Sequence, residues 1–141
     1  MNIFLDTSTL FKLYHTEVGT EKIDKIFVEN DVKEIYLSGI TKIEFNSVVW
    51  RKVRMQEISE EQAKELTKSF TEDYKLYNFV EVNNTLIKKA QQLVTKYGKI
   101  GLRTLDSIQL TSAILVKKNI DINKSSDNLL NKIFELEGLK I

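Results

Sequence analysis

Ile3-Phe4-Leu5-Asp6-Thr7-Ser8-Thr9-Leu10 is the stretch on which the fold turns. Three consecutive apolar residues have the length and composition of a short buried strand. They stop at an acid, and Thr7 to Tyr14 then reads as a helix, so strand passes to helix without a linker. Outward from that unit the same change of period recurs. Glu21 to Glu29 carries Ile23, Ile26 and Phe27 at helical spacing, and Ile35-Tyr36-Leu37 is a second strand stopped by Ser38-Gly39. Thr41 to Met55 reads as a helix with Ile43, Val49, Trp50 and Val53 as apolar members. Ser59 and Gln62 form a capping box that opens a helix predicted to reach about Leu76. Phe79-Val80-Glu81-Val82 alternates as a third strand, Asn84 to about Lys96 is a helix, and Gly98 and Gly101 bracket a loop before a long helix from Leu102 to Lys118. Ile120 to Asn123 is a weak strand, Asp127 to Glu135 a last helix with Gly138 as its C-cap, and Leu139-Lys140-Ile141 a closing strand. Strands and helices alternating through short connections predict an α/β fold on a mainly parallel sheet of about five strands. Ligands in such folds sit outside the carboxyl ends of the strands.

The 141 residues hold 21 Lys+Arg against 20 Asp+Glu, a net charge of +1, with 42% hydrophobic and 29% charged residues. With no proline, no Gly/Ser-rich linker and no repeat, residues 1–141 read as one domain. The balanced charge excludes a protein that holds nucleic acid by bulk basicity alone. The absence of cysteine removes disulfide frameworks, thiolate metal sites and cysteine nucleophiles. A single histidine, His15, removes zinc sites built on two or three histidines and most Ser-His-Asp triads. Met1 to Leu5 is too short for a signal-peptide core, and no apolar run approaches the roughly 18 residues of a membrane span, so the expected location is the cytoplasm.

Four acids stand at or near predicted strand-to-helix junctions. Asp6 follows the first strand and reads equally as an N-cap or as a carboxylate presented at the sheet edge. Asp106, at about 100° per residue, falls outside the polar arc of Arg103, Ser107, Thr111 and Lys118, among Leu102, Leu110 and Ala113. An ionised carboxylate on a core-facing stripe needs compensation, either an ion pair with Arg103 or Lys99 or a divalent cation. Glu44 completes a capping box with Thr41, and on spacing alone that role is the better reading. Asp127, in Ser125-Ser126-Asp127-Asn128, reads first as an N-cap.

Taken in order along the chain, these segments resemble the PIN domain family, specifically the VapC-type toxin ribonucleases of toxin–antitoxin pairs. Ile3 to Leu10 is similar to the family's opening strand with its Asp-Thr-Ser start. Ser38-Gly39-Ile40-Thr41-Lys42-Ile43-Glu44 resembles the second motif, Gly101 to Leu110 with Asp106 the third, Ser125-Ser126-Asp127-Asn128-Leu129-Leu130 the fourth, and Glu137 to Ile141 the usual ending. The chain departs from the pattern at Asn123-Lys124, where apolar residues are usual, and at Gln109, Thr111 and Ser112, where a histidine and alanines are common.

The resemblance implies a PIN-like three-layer α/β/α sandwich and moves Glu44 from capping to metal binding. It implies that Asp6, Glu44 and Asp106 hold one or two Mg²⁺ or Mn²⁺ ions, with Asp127 supporting, for RNA hydrolysis by a metal-activated water. Thr7, Ser8 and Thr104 would then orient carboxylates or contact phosphate. Basic Lys12, Arg51, Lys52, Arg54 and Arg103 are candidate RNA contacts, Arg51 and Arg103 foremost. Expected partners are the RNA substrate, a cognate antitoxin and a second copy of the chain. Trp50, Phe45 and Met55, with Phe70, Tyr74 and Tyr77, offer more aromatic surface than a small core needs. Rival readings are a PIN-fold RNA-processing nuclease outside a toxin–antitoxin pair and a catalytically weak binding module. A haloacid-dehalogenase-type phosphatase fails because Ser8 stands where a second Asp is required, and no phosphate-binding G-x-x-x-x-G-K-[ST] loop exists.

Overall fold

Ile3, Phe4 and Leu5 are all completely buried, as a strand covered on both faces requires. They form β1 (Asn2–Leu5), and strand alternation sends Ile3 and Leu5 into one core and Phe4 into another. The computed structural model describes residues 1–141 throughout. Besides β1 the strands are β2 (Glu34–Ser38), β3 (Tyr77–Val80) and β4 (Ile122–Lys124), all parallel, in the order β3-β2-β1-β4. Ile3 pairs with Ile35 on one side and with Ile122 on the other. The first strand of the chain is therefore bonded to the last, and the sheet changes direction of growth at β1. A crevice at the carboxyl ends opens at such a switch point.

Over Ile3 and Leu5 lie α1 (Thr7–Phe11), α2 (Thr20–Glu29), α3 (Thr41–Arg54) and α4 (Glu60–Glu72), contributing Leu10, Ile23, Phe45 and Phe70 among others to the core. Over Phe4 lie α5 (Asn84–Tyr97), α6 (Thr104–Leu115) and α7 (Asn128–Leu136), contributing Leu93, Leu110, Leu130 and Phe134. This is a three-layer α/β/α sandwich. No helix is long and apolar enough to cross a membrane.

Several expectations are corrected. The sheet has four strands, not about five: Leu139-Lys140-Ile141 contributes only the Lys140 carbonyl, which accepts both the backbone N–H and the side-chain amide of Asn123. Gly138, with φ +73°, turns the chain away from α7 and brings one carbonyl, not a ladder, to the sheet. The helix from Ser59 stops at Glu72 and tightens into a 3₁₀ turn over Asp73–Leu76, so β3 starts two residues before the predicted Phe79. The predicted polar arc of α6 is absent, since Ser107 and Thr111 are buried. Their hydroxyls are satisfied along the helix, Thr111 on the Ser107 carbonyl at 2.6 Å and Ser107 on the Thr104 carbonyl at 2.6 Å.

The aromatic surplus is mostly internal. Phe45 and Phe70 stack with ring centroids 4.3 Å apart, and Tyr14, Tyr74, Tyr77 and Phe79 pack around Phe70. Trp50 and Met55 remain exposed.

Candidate active site

Asp6 is the first residue beyond the central strand and caps α1, its Oδ1 accepting the Thr9 backbone N–H at 2.9 Å. It is 5% exposed. Ser8 bridges both carboxylate oxygens at 2.9 Å, and the Ser125 hydroxyl, arriving from the end of β4, donates to Oδ2. Burial pushes the Asp6 carboxyl upward, against these hydrogen bonds, which favour the ionised form. Asp6 is thus both cap and buried acid.

Glu44 does not close a capping box. The residue before α3 is Ile40, with no side-chain cap, and Thr41 is buried with its hydroxyl turned inward. Glu44 Oε1 accepts from the Thr7 hydroxyl at 3.0 Å and from Gln109 Nε2 at 2.7 Å. The Gln109 nitrogen also lies 3.0 Å from the Thr7 hydroxyl and 3.1 Å from that of Thr41. Burial raises the Glu44 carboxyl, Gln109 and Thr7 oppose the rise, and the charges of Asp6 and Asp106 add to it.

Asp106, in the first turn of α6, is half-buried. It forms no ion pair with Arg103 or Lys99. Its carboxyl is raised by burial first, then by the charges of Asp127 and Asp6, with only Arg103 pulling the other way. Asp127 is exposed and caps α7, accepting the Leu130 N–H at 2.9 Å. The fold therefore brings Asp6, Glu44 and Asp106 within electrostatic reach of one another, with Asp127 close to Asp106.

Thr7 and Ser8 contact Glu44 and Asp6 directly. Thr104 does not reach the acids, and only its carbonyl is engaged, by Ser107. Arg51 is exposed and shares a groove of about 290 Å³ with Ser8, whereas Arg103 is exposed at the start of α6. Lys12 and Lys52 are not free surface cations: both pair with Glu17, at 2.8 and 3.2 Å, and Lys52 also pairs with Glu57 at 3.0 Å. Gln109, Thr41 and Ser125 are the site residues that sequence reading overlooks. The one available signal was that Ser125 shares a polar cluster with Asp127.

No three acids stand together as a ready-made metal-ligating group; hydroxyl and amide donors hold Asp6 and Glu44. The donor set nonetheless fits a hard divalent cation. Three neighbouring carboxylates all bind protons more tightly than usual, and none is paired with a lysine or arginine. Oxygen-only ligands of this kind suit Mg²⁺ or Mn²⁺.

A family model described as PIN domain matches residues 3–128. No curated protein matches the chain. Among solved structures, VapC20 of Mycobacterium tuberculosis, a sarcin-ricin loop cleaving toxin, superposes with a TM-score of 0.70 at 14% identity, covering 93% of this chain and 94% of that one. VapBC-1 from nontypeable Haemophilus influenzae gives 0.64 at 17% identity, over 99% and 96% of the two chains. VapBC2 from Rickettsia felis, bound to a DNA fragment from its promoter, gives 0.61 at 15%, over 99% and 93%. At such identities the likeness is one of fold. The family model, by contrast, runs from β1 to the start of α7 and spans all four acids, and the chain belongs to the PIN domain family.

Proposed function

We propose that this protein is a metal-dependent endoribonuclease and the toxin of a toxin–antitoxin pair. The observation that carries the reading is the buried Asp6 at the switch point of the sheet, within electrostatic reach of Glu44 and Asp106, with no basic side chain paired to any of them. Asp6, Glu44 and Asp106 are the residues that would hold Mg²⁺ or Mn²⁺, with Asp127 assisting. When bound, the ion supplies charge stabilisation at the phosphodiester and a more acidic water. Ser8 and Ser125 orient Asp6, while Thr7 and Gln109 orient Glu44. Arg51, in the groove beside Ser8, and Arg103, at the start of α6, are the residues that would meet RNA phosphates. His15 packs against Phe11 with centroids 5.7 Å apart and takes no part.

The likeness to VapC20 and to the two VapBC structures supports RNA as substrate and a cognate antitoxin as partner. Exposed Trp50 and Met55 on and after α3 supply apolar surface for a second copy or for an amphipathic antitoxin segment. The purified protein is expected to cleave structured RNA in Mg²⁺ or Mn²⁺ and to arrest growth on expression. Asp6→Asn and Asp106→Asn should each reduce cleavage by about 100-fold or more and relieve the arrest. Mapping new RNA 5′ ends after brief expression of wild type and Asp6→Asn reads both at once. Wild-type-level cleavage by either variant in a clean preparation overturns the site.

A further inference from the structure

A second, larger cleft of about 500 Å³ opens beside Asp6. Its rim is shared with the acid site: Ser125 donates to Asp6, and the Thr9 N–H caps onto it. Asn131 ties this wall together, donating to the Ser125 carbonyl at 2.9 Å and accepting its N–H at 3.3 Å. The lining contains three lysines, Lys12, Lys22 and Lys124, and no Asp or Glu side chain. Lys12 is committed to Glu17, but Lys22 and Lys124 pair with no carboxylate.

Lys124 is unusual in its position. It ends β4, half-buried at the carboxyl edge of the sheet, and its carbonyl accepts the Asp6 N–H at 3.1 Å. No other strand ends on a charged residue. Lys124, next in sequence to Ser125 of the acid site, also lines the adjoining cleft and is in no ion pair, so with Lys22 it gives the cleft two lysines free of carboxylate partners. Val18 and Ile26 give the cleft an accessible apolar wall, and Asn128 adds an amide that makes no hydrogen bond within the chain. Apolar wall, free amide and two free cations match the parts of a nucleotide: base face, base edge and phosphate. The volume lies in the range of small-ligand sites.

We propose that this cleft is a nucleotide subsite on the RNA path, taking one unpaired nucleotide next to the bond presented to Asp6. The base lies against Val18 and Ile26 within reach of Asn128, and the flanking phosphates lie on Lys22 and Lys124. RNA is recognised chiefly through such splayed, single-stranded nucleotides. The choice of RNA over another anion rests on the nuclease reading above.

The test uses the full chain carrying Asp6→Asn, so that RNA is bound and not cut, and a fluorescein-labelled single-stranded RNA read by anisotropy. Lys22→Ala/Lys124→Ala is compared with Lys88→Ala/Lys118→Ala, which removes the same charge outside the cleft. Two lost phosphate contacts on single-stranded RNA should weaken binding about 25-fold at about 0.1 M salt and flatten the log–log salt slope by about 1.4. The control pair should change neither by more than about 3-fold. Methyl NMR with the four nucleoside monophosphates provides the second readout, with shifts expected at Val18 and Ile26. Equal weakening in both double variants, or no shift at those two side chains, overturns the subsite. Cleavage by the wild type alongside unchanged binding by Lys22→Ala/Lys124→Ala removes the subsite and leaves the nuclease standing. Absence of wild-type cleavage removes the nuclease, while anisotropy and methyl shifts still decide the cleft.

Discussion

Gln109 Nε2 lies within 3.1 Å of oxygens of Glu44, Thr7 and Thr41, while its Oε1 is buried without a partner. A buried amide tolerates an unsatisfied oxygen only if its nitrogen is needed where it is. Gln109→Leu removes the donor to Glu44 and the orphaned oxygen together, so its cost to folding should stay near 1 kcal/mol in urea melts. Cation affinity should fall about 10-fold or more, since groups behind a ligand fix its orientation; Mn²⁺ titration by calorimetry checks this, and unchanged affinity refutes it. Asp6 makes a different prediction. Burial raises its carboxyl in the folded metal-free protein, so the folded state takes up the proton before the unfolded one. Stability from this group is therefore lost as pH rises through its folded value, and Asn imitates the protonated form. In EDTA, Asp6→Asn should be more stable than wild type at about pH 8, with the gap closing as pH falls towards the ordinary Asp value of about 4. A gap that widens on acidification contradicts this sign. Asp6 and Asp127 were legible in the sequence because capping is decided by neighbours three residues away. Gln109 was not, because its partners come from α1 and α3, 65 to 102 residues away.

Among the elements, the clearest local signal was also the most accurate. Ser59 accepts the Gln62 N–H at 3.1 Å and the Gln62 side chain accepts the Ser59 N–H at 2.9 Å, both bonds of a capping box. Ser59→Ala should cost about 1 kcal/mol in chemical denaturation without altering cleavage, because α4 contributes no site residue. The same pattern at Thr41 and Glu44 misled, because the motif records spacing and not burial: a hydroxyl with partners on α1 and α6 turns inward. Gly39 shows a constraint that no motif states. Its N–H bonds to the Val80 carbonyl at 2.8 Å, and a Cβ there would meet the same oxygen at 2.9 Å. Gly39→Ala must part β2 from β3 at the start of α3, costing about 1 to 3 kcal/mol. A melt equal to wild type shows that this junction relaxes freely. The short β4 was read weakly because Asn123 and Lys124 look polar, yet Asn123 is buried on the Lys140 carbonyl.

At the scale of the whole molecule, the three layers were legible because alternating periods leave few ways to bury both faces of β1. The strand order was not, since adjacency of β1 and β4 has no local signature. A cation binding only the folded state should raise stability by about 2.7 kcal/mol at 100 times its dissociation constant. Thermal melts in Mn²⁺ should move upward for wild type and stay still for Asp6→Asn/Asp106→Asn; an equal rise in both overturns the shared cation site. The bonding of β1 to β4 has a consequence in time. Asp6 is made almost at once, but Ser125 and the strand that walls it are 119 residues later. Until Ile122 to Ser125 have been made, β1 has a bare edge and Asp6 lacks its Ser125 donor. The proposed site is therefore incomplete until the last strand docks against the first.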